Sequence, residues 1–296
     1  MKFRFWGVRG SIPSPGPRTA RYGGNTTCIE VRTDDGTLII LDGGTGLFPL
    51  AQHLLQHTPV DANIFITHSH WDHIHGLPFF APLFDKGSRV CLYGARDLET
   101  GAGIEHVMGV QLQNSYFPVG EAQLHATLAY RTLAIGEAIG LGDAVVTNVV
   151  MNHPVTNLGY RIDCGGKALF FTGDHEPWHN PHIPSDPAYA PFEAHLAERE
   201  RSMDALMRDV DALIVDCSYT RDEYPSKRGW GHGTFDGAFA MALRVGARAL
   251  YCTHHEPTRS DAELEAAFAD VMARHAGQLG SLQVYLAYEG LEVDLS

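Results

Sequence analysis

The chain has 296 residues, 44% of them hydrophobic and 19% charged, proportions ordinary for a soluble globular protein with a substantial core. Its formal net charge is −13, with only 22 Lys and Arg, and these are scattered without a cluster. That balance argues against avid binding of duplex or long RNA, which needs a basic face to neutralise phosphates and release counterions.

Strand-like and helix-like segments alternate along the chain. Residues 2–6 form an alternating strand without the apolar stretch of a signal peptide. No run approaches the roughly 20 apolar residues that span a bilayer, so a cytoplasmic protein without a membrane anchor is expected. Strands follow at 27–32 and 37–41, then a helix at 47–57, a strand at 63–67 and a short helix after Asp72. A strand at 90–92 and a helix at 98–113 come next, then strands at 144–151, 159–163 and 168–172. The stretch 178–191, with four prolines, reads as an irregular loop or lid. A helix at 190–208, a strand at 212–216, a helix at 235–245 and a strand at 249–253 lead to a helix at 261–275. Ser260, with Glu263 three residues on, is its capping box, and a strand at 283–288 closes the pattern. Runs such as Leu38-Ile39-Ile40-Leu41 and Leu213-Ile214-Val215 predict strands buried on both faces of a sheet covered by helices. No Gly-, Ser- or Pro-rich linker, repeat or low-complexity tract divides the chain, which predicts one domain over 1–296. Five dispersed cysteines without a CxxC pair read as reduced core residues.

Seventeen histidines are many for this length. After the apolar strand Ile64-Phe65-Ile66, four candidate ligands fall within six positions, His68-Ser69-His70-Trp71-Asp72-His73. Neutral imidazole and carboxylate suit Zn²⁺, and Mn²⁺, Co²⁺ or Fe²⁺ also bind such donors. His68 and His70 alternate in an extended segment and face one way, toward one ion. Asp72 and His73, where the chain turns into a helix, are free to serve a second. Six positions cannot close two coordination spheres, so another histidine and a carboxylate are required at other strand ends. His153 follows the strand at 144–151, Asp174 follows 168–172 and a glycine, and His254 follows 249–253, repeating the Thr-His junction at 67–68. His255 is the rival for the last place. His75, His175, His179 and His182, near the same segments, read as surface, supporting or incidental residues.

These residues resemble the metallo-β-lactamase superfamily, whose HxHxDH signature is followed by single His, Asp and His ligands in that order; the resemblance covers nearly the whole chain. It implies an α/β protein, a four-layer αββα sandwich of the metallo-β-lactamase type. It implies two Zn²⁺ ions, one held by His68, His70 and His153 and the other by Asp72, His73 and His254, with Asp174 bridging and Asp72 also serving catalysis. Asp42, in Leu41-Asp42-Gly43-Gly44, matches the family's first motif, where an aspartate orients a ligand histidine.

His70 stands where oxygen-reducing diiron members carry a carboxylate, which favours hydrolysis. Gly229-Trp230-Gly231-His232-Gly233-Thr234, together with Val215-Asp216-Cys217-Ser218, is similar to segments of the phosphodiesterase branch, which includes ribonuclease Z and cyclic-nucleotide phosphodiesterases. There a histidine outside the metal sphere, paired with an acidic residue, acts near the leaving group; His232 and Asp216 match those positions. The chain departs from the pattern at Gly233, where a serine is usual, and in the residues around Asp216, where the usual sequence is His-Glu-Ala-Thr. In the implied chemistry two cations turn water into hydroxide near neutral pH and offset charge on the phosphate oxygens, while His232 protonates the leaving alkoxide. Arg9 and Asn25 lie in segments that border the cleft in this branch; turn formation is their expected role and substrate contact the alternative. The long basic arm by which ribonuclease Z grips transfer RNA is not evident. A small anionic phosphodiester, above all a cyclic nucleotide, is therefore the expected substrate. No stable nucleic-acid complex is expected, and a homodimer is expected by resemblance. The alternatives are a ribonuclease Z-like RNA endonuclease, an acyl hydrolase (lactonase or lactamase), and a noncatalytic sensor, the last disfavoured because no ligand position is lost.

Overall fold

A computed structural model of the chain describes residues 1–295, and among these the strands make two seven-stranded sheets. In spatial order the first sheet contains β14 (Glu292–Asp294), β1 (Lys2–Gly7), β2 (Cys28–Arg32), β3 (Leu38–Leu41), β4 (Asp61–Phe65), β5 (Arg89–Gly94) and β6 (Thr127–Thr132). The second contains β13 (Gln283–Leu286), β12 (Ala249–Thr253), β11 (Ala212–Asp216), β10 (Lys167–Phe171), β9 (Asn157–Cys164), β8 (Ala144–Met151) and β7 (Ala138–Leu141). The helices are α1 (Leu47–Leu54), α2 (Trp71–Ile74), α3 (Ile104–Gln111), α4 (Tyr189–Met207), α5 (Phe235–Val245) and α6 (Asp261–His275).

Three apolar layers hold these elements together. Phe3, Phe5, Ile39 and Phe65 of the first sheet pack against Tyr160, Leu169, Phe171, Ile214 and Tyr251 of the second. Outside the first sheet, Leu47 and Leu50 of α1 and Met108 of α3 cover Ile40, Ile64 and Leu92. Outside the second, Met203 and Met207 of α4, Phe239 of α5 and Leu264 of α6 cover Phe170, Leu213 and Leu250. The order of layers is helix, sheet, sheet, helix, the expected αββα sandwich. A strand in the middle of such a stack is apolar on both faces, and β3, β11 and β12 are accordingly buried at every position. At the helix ends the Thr234 hydroxyl accepts from Gly237 N–H and Ser260 forms its capping box with Glu263, each satisfying an otherwise orphaned donor.

Strand direction places the site. β3 to β6 are mutually parallel, as are β10 to β13. β8 shares the direction of β10, because both are antiparallel to β9. The residues that follow β3, β4, β8, β10, β11 and β12 therefore all leave the carboxyl ends of their strands, where ligands of open α/β sheets collect. The sheets are pinned together at this edge: Tyr160 Oη donates to Ile66 O at 2.7 Å and Leu158 N–H to Thr67 O at 2.9 Å, two residues and one residue before His68.

One expectation is corrected, and three strands join those expected. The helix expected at 98–113 forms only as α3; Gly101 adopts φ +70°, and the Asp97 carboxylate accepts from Glu99 and Thr100 N–H, so 97–102 is a turn. β6, β7 and β14 went unread. β6 and β14 alternate between exposed and half-buried residues, and the apolar face each packs on the core is small, Leu128 and Tyr130 in one and Val293 in the other, which makes a weak period-2 signal.

Candidate metal centre

After β4 the chain runs through a loop bent at Thr67 and His70 until α2 begins at Trp71. His68, Asp72 and His73 are buried and His70 is half-buried. One donor atom each of His68, His70, His153 and Asp174 lie within 4.8 Å of one another, as do those of Asp72, His73, Asp174 and His254. Asp174 belongs to both groups. Its Oδ1 is 3.2 Å from His73 Nε2 and 3.1 Å from His254 Nε2, while Oδ2 is 3.5 Å from His68 Nε2 and 3.9 Å from His153 Nε2. One oxygen thus faces each group, the disposition of a bridging carboxylate.

In His68, His73, His153 and His254 the other ring nitrogen is spoken for, which fixes tautomer and orientation. His73 Nδ1–H donates to Asp42 Oδ2 at 2.7 Å, and His153 Nδ1–H to Gly231 O at 2.9 Å. His68 Nδ1 is 3.1 Å from Thr67 Oγ1, itself bonded to Asp42. His254 Nδ1 is 3.0 Å from Ser218 Oγ, which donates to Asp216 Oδ1 at 2.7 Å. What remains fits divalent metal: His68 Nε2, His73 Nε2 and Asp174 Oδ1 are buried without a directed hydrogen bond, and His153 Nε2 faces His70 Nδ1 at 3.0 Å. Nitrogen and carboxylate oxygen donors in this number suit Zn²⁺, Mn²⁺, Co²⁺ or Fe²⁺.

The electrostatics agree. Burial pushes His68, His70 and His153 below the usual imidazole value, so each presents a neutral lone pair. Burial opposes ionisation of Asp174, yet His254, His73, His232 and His68 hold its carboxyl well below the usual range. Burial likewise disfavours a charged His73, but Asp174, Asp72 and Asp42 outweigh it. The cluster is a set of carboxylates that draws positive charge, which divalent ions provide.

His232 sits beside this cluster. Its Nδ1–H donates to Asp216 Oδ2 at 3.0 Å and lies 3.6 Å from Asp174 Oδ2. Burial lowers its pKa, but Asp216 and then Asp174 prevail and raise it to about 9. An ion on Asp174 would cancel that carboxylate's share and leave Asp216 as the partner. Asp216 is fully buried and also accepts from the N–H groups of His175 and Ser218.

The amino-terminal segment supports the second group. Ser11 N–H donates to Asp72 Oδ2 at 2.7 Å, and a β-carbon at Gly10 would overlap the His254 imidazole. Three non-glycine residues here adopt left-handed backbone, Ser11 and Asp42 at φ +61° and His254 at φ +56°, a cost of about 1–3 kcal/mol each that tertiary contacts must offset. Arg9 is fully buried, its guanidinium bonded to Gly23 O, Arg259 O and Asp261, and Asn25 bonds Glu289. Both are structural clamps. His255 donates from Nε2 to Ala287 O at 2.8 Å and lies outside the metal-ligand groups. His175 is buried behind the site, with Nδ1 accepting from Asn152 N–H; His179 is exposed, and His182 pairs with Asp186.

Glu176 is a residue that sequence reasoning missed. Buried two positions after Asp174, it accepts from Tyr224 Oη–H at 2.7 Å, Gly229 N–H at 2.8 Å and Gly231 N–H at 2.9 Å. It therefore shapes the loop that delivers Gly231 O to His153 and His232 to Asp216. Glu176→Gln would set an amide donor against one of these N–H groups. The expected result is a loss of about 1–3 kcal/mol in denaturant unfolding, and unchanged stability would show the loop to be held by other contacts.

Two facing sheets with a double His/Asp cluster at their common edge define a protein of the metallo-β-lactamase fold class. Residues 37–255 match the family model of the beta-lactamase superfamily domain, and the chain belongs to that superfamily. It is similar to ribonuclease Z of Shouchella clausii, 23% identical over 86% of each chain. Among solved structures, it resembles unliganded yeast PDE1 (17% identity, TM-score 0.67, 99% of each chain). It also resembles Zn²⁺-bound PqqB of Methylobacterium extorquens (16% identity, TM-score 0.66, all of each chain). At these identities the structural likeness speaks for the fold.

Proposed function

We propose that the protein is a zinc-dependent hydrolase of small anionic phosphodiesters, a cyclic nucleotide first among them, working with two ions. One would be held by His68, His70 and His153 and the other by Asp72, His73 and His254, with Asp174 between them. The observation that carries the reading is His232, an imidazole fastened to Asp216 through Nδ1 beside the ligand cluster. With Nδ1 committed, Nε2 is the atom that holds and releases a proton, the property required of a general acid for an alkoxide leaving group. Bound ions would supply Lewis acidity that acidifies water and offsets phosphate charge. Asp72, fixed by Ser11 N–H, is the carboxylate suited to orient the attacking water. The reading includes a cytoplasmic homodimer that holds neither membrane nor nucleic acid stably. The five cysteines are all unpaired, as suits a reducing compartment, and no helix among the described residues is long and apolar enough to cross a membrane.

A second reading, a ribonuclease Z-like RNA endonuclease, is favoured by the sequence similarity that spans 86% of the chain; the net charge of −13 weighs against it. A panel of 3′,5′- and 2′,3′-cyclic nucleotides, bis(p-nitrophenyl) phosphate, a precursor transfer RNA, a lactone and a β-lactam separates the readings. Turnover of the cyclic and aryl diesters above the rest is expected. Cleavage of the RNA alone would select the second reading, and cleavage of the carbonyl compounds alone would make the protein an acyl hydrolase.

A further inference from the structure

A cavity of about 480 Å³ lies against the metal centre, between α2, α3 and the turn at 97–103. His68 and Ser69 form part of its wall, and because the His68 imidazole is itself fully buried the cavity meets the loop that carries the first ligand group. Its size is that of a pocket for a small organic molecule, and its walls are largely apolar. Trp71, next to His70, is 69% exposed and Phe79 is 53% exposed, although both border this concavity. Phe117 meets Phe79 edge to face with ring centroids 5.2 Å apart. Gln111, in the same wall, donates to Ile74 O and so ties α3 to the end of α2. Leaving such aromatic surface wet costs free energy in proportion to its area.

We infer that this cavity takes a planar aromatic or heteroaromatic group of the substrate, a nucleobase or aryl ring, on the phosphorus substituent that is retained when the leaving group departs. The inference rests on the phosphodiesterase reading for the position of the phosphorus. Ring faces would lie against Trp71 and Phe79.

The test holds the leaving group constant: the methyl, phenyl and thymidine-5′ esters of p-nitrophenyl phosphate, assayed with the Zn²⁺-loaded protein and with Phe79→Ala and Val110→Trp. Phe79→Ala removes an exposed wall and leaves the core intact, while Val110→Trp fills the cavity from α3. The phenyl and thymidine esters are expected to exceed the methyl ester in kcat/KM by about tenfold or more, and both variants should shrink that ratio by roughly threefold to tenfold. Equal kcat/KM for the three esters, or ratios unmoved in Phe79→Ala, would overturn the pocket whether or not Val110→Trp folds. If none of the esters is cleaved, the phosphodiesterase reading falls, and calorimetric binding of AMP against ribose 5-phosphate decides the pocket separately. Tighter binding of AMP that weakens in Phe79→Ala supports it, and equal binding rejects it.

Discussion

Asp174→Ala is expected to retain fewer than two metal ions per chain by elemental analysis, with turnover down by at least about a hundredfold. The expectation follows from position. Asp174 is the carboxylate shared by both ligand groups, its two oxygens 3.1–3.9 Å from the Nε2 atoms of His73, His254, His68 and His153. Alanine removes a donor from each set and the negative charge that makes neighbouring cations tolerable. A readout independent of catalysis is available, because an ion that binds only the folded state stabilises it by mass action, about 2.7 kcal/mol at a hundred times Kd. Chelation should therefore lower the Tm of the parent protein clearly and that of Asp174→Ala much less. A variant that keeps two ions and the full chelation shift would rule out bridging by Asp174.

What the sequence made legible, and what it did not, divides along a physical line. His68, His70, Asp72, His73, His153, Asp174 and His254 were readable because each is a donor side chain set just beyond an apolar strand. Parallel strand ends gather at one edge without further specification, and the structure brings all seven together there. Asp216 and His232 were readable through a motif, even with Ser218 standing where the pattern has threonine. The supports were hidden because they are largely backbone. Ser11 N–H on Asp72 and Gly231 O on His153 have no residue-type signature. Glu176 holds its loop through the N–H groups of Gly229 and Gly231 and one hydroxyl, a role that any buried acidic residue could fill. For Arg9 the sequence reading is a turn role with substrate contact as the alternative, and its complete burial on backbone carbonyls and Asp261 shows its donors used within the fold. The cavity was illegible for another reason. Its wall joins α2, α3 and Val155–Thr156, and the shortening of α3 by the turn at Gly101 decides its shape.

His232→Ala should keep both ions and lose activity in proportion to how badly the leaving group needs a proton. For a cyclic nucleotide, whose departing oxygen is an alkoxide, the loss is expected at about 10²–10⁴-fold. For bis(p-nitrophenyl) phosphate, whose leaving phenolate is stable unprotonated, it should be far smaller. The contrast matters because His232 also shares a potential ligand group with Asp174, Asp216 and His254. Only a general acid produces a loss graded by leaving group at constant metal content; a ligand would lose metal and fail with both substrates alike. Asp216→Asn provides the complementary case. Asp216 reaches His232 through Oδ2 and, by way of the Ser218 hydroxyl, His254 through Oδ1. The amide is therefore expected to disturb both the acid and the second ligand group, lowering turnover and metal affinity together. If His232→Ala comes out depleted of metal, the imidazole is a ligand, and the distinction between the two residues collapses.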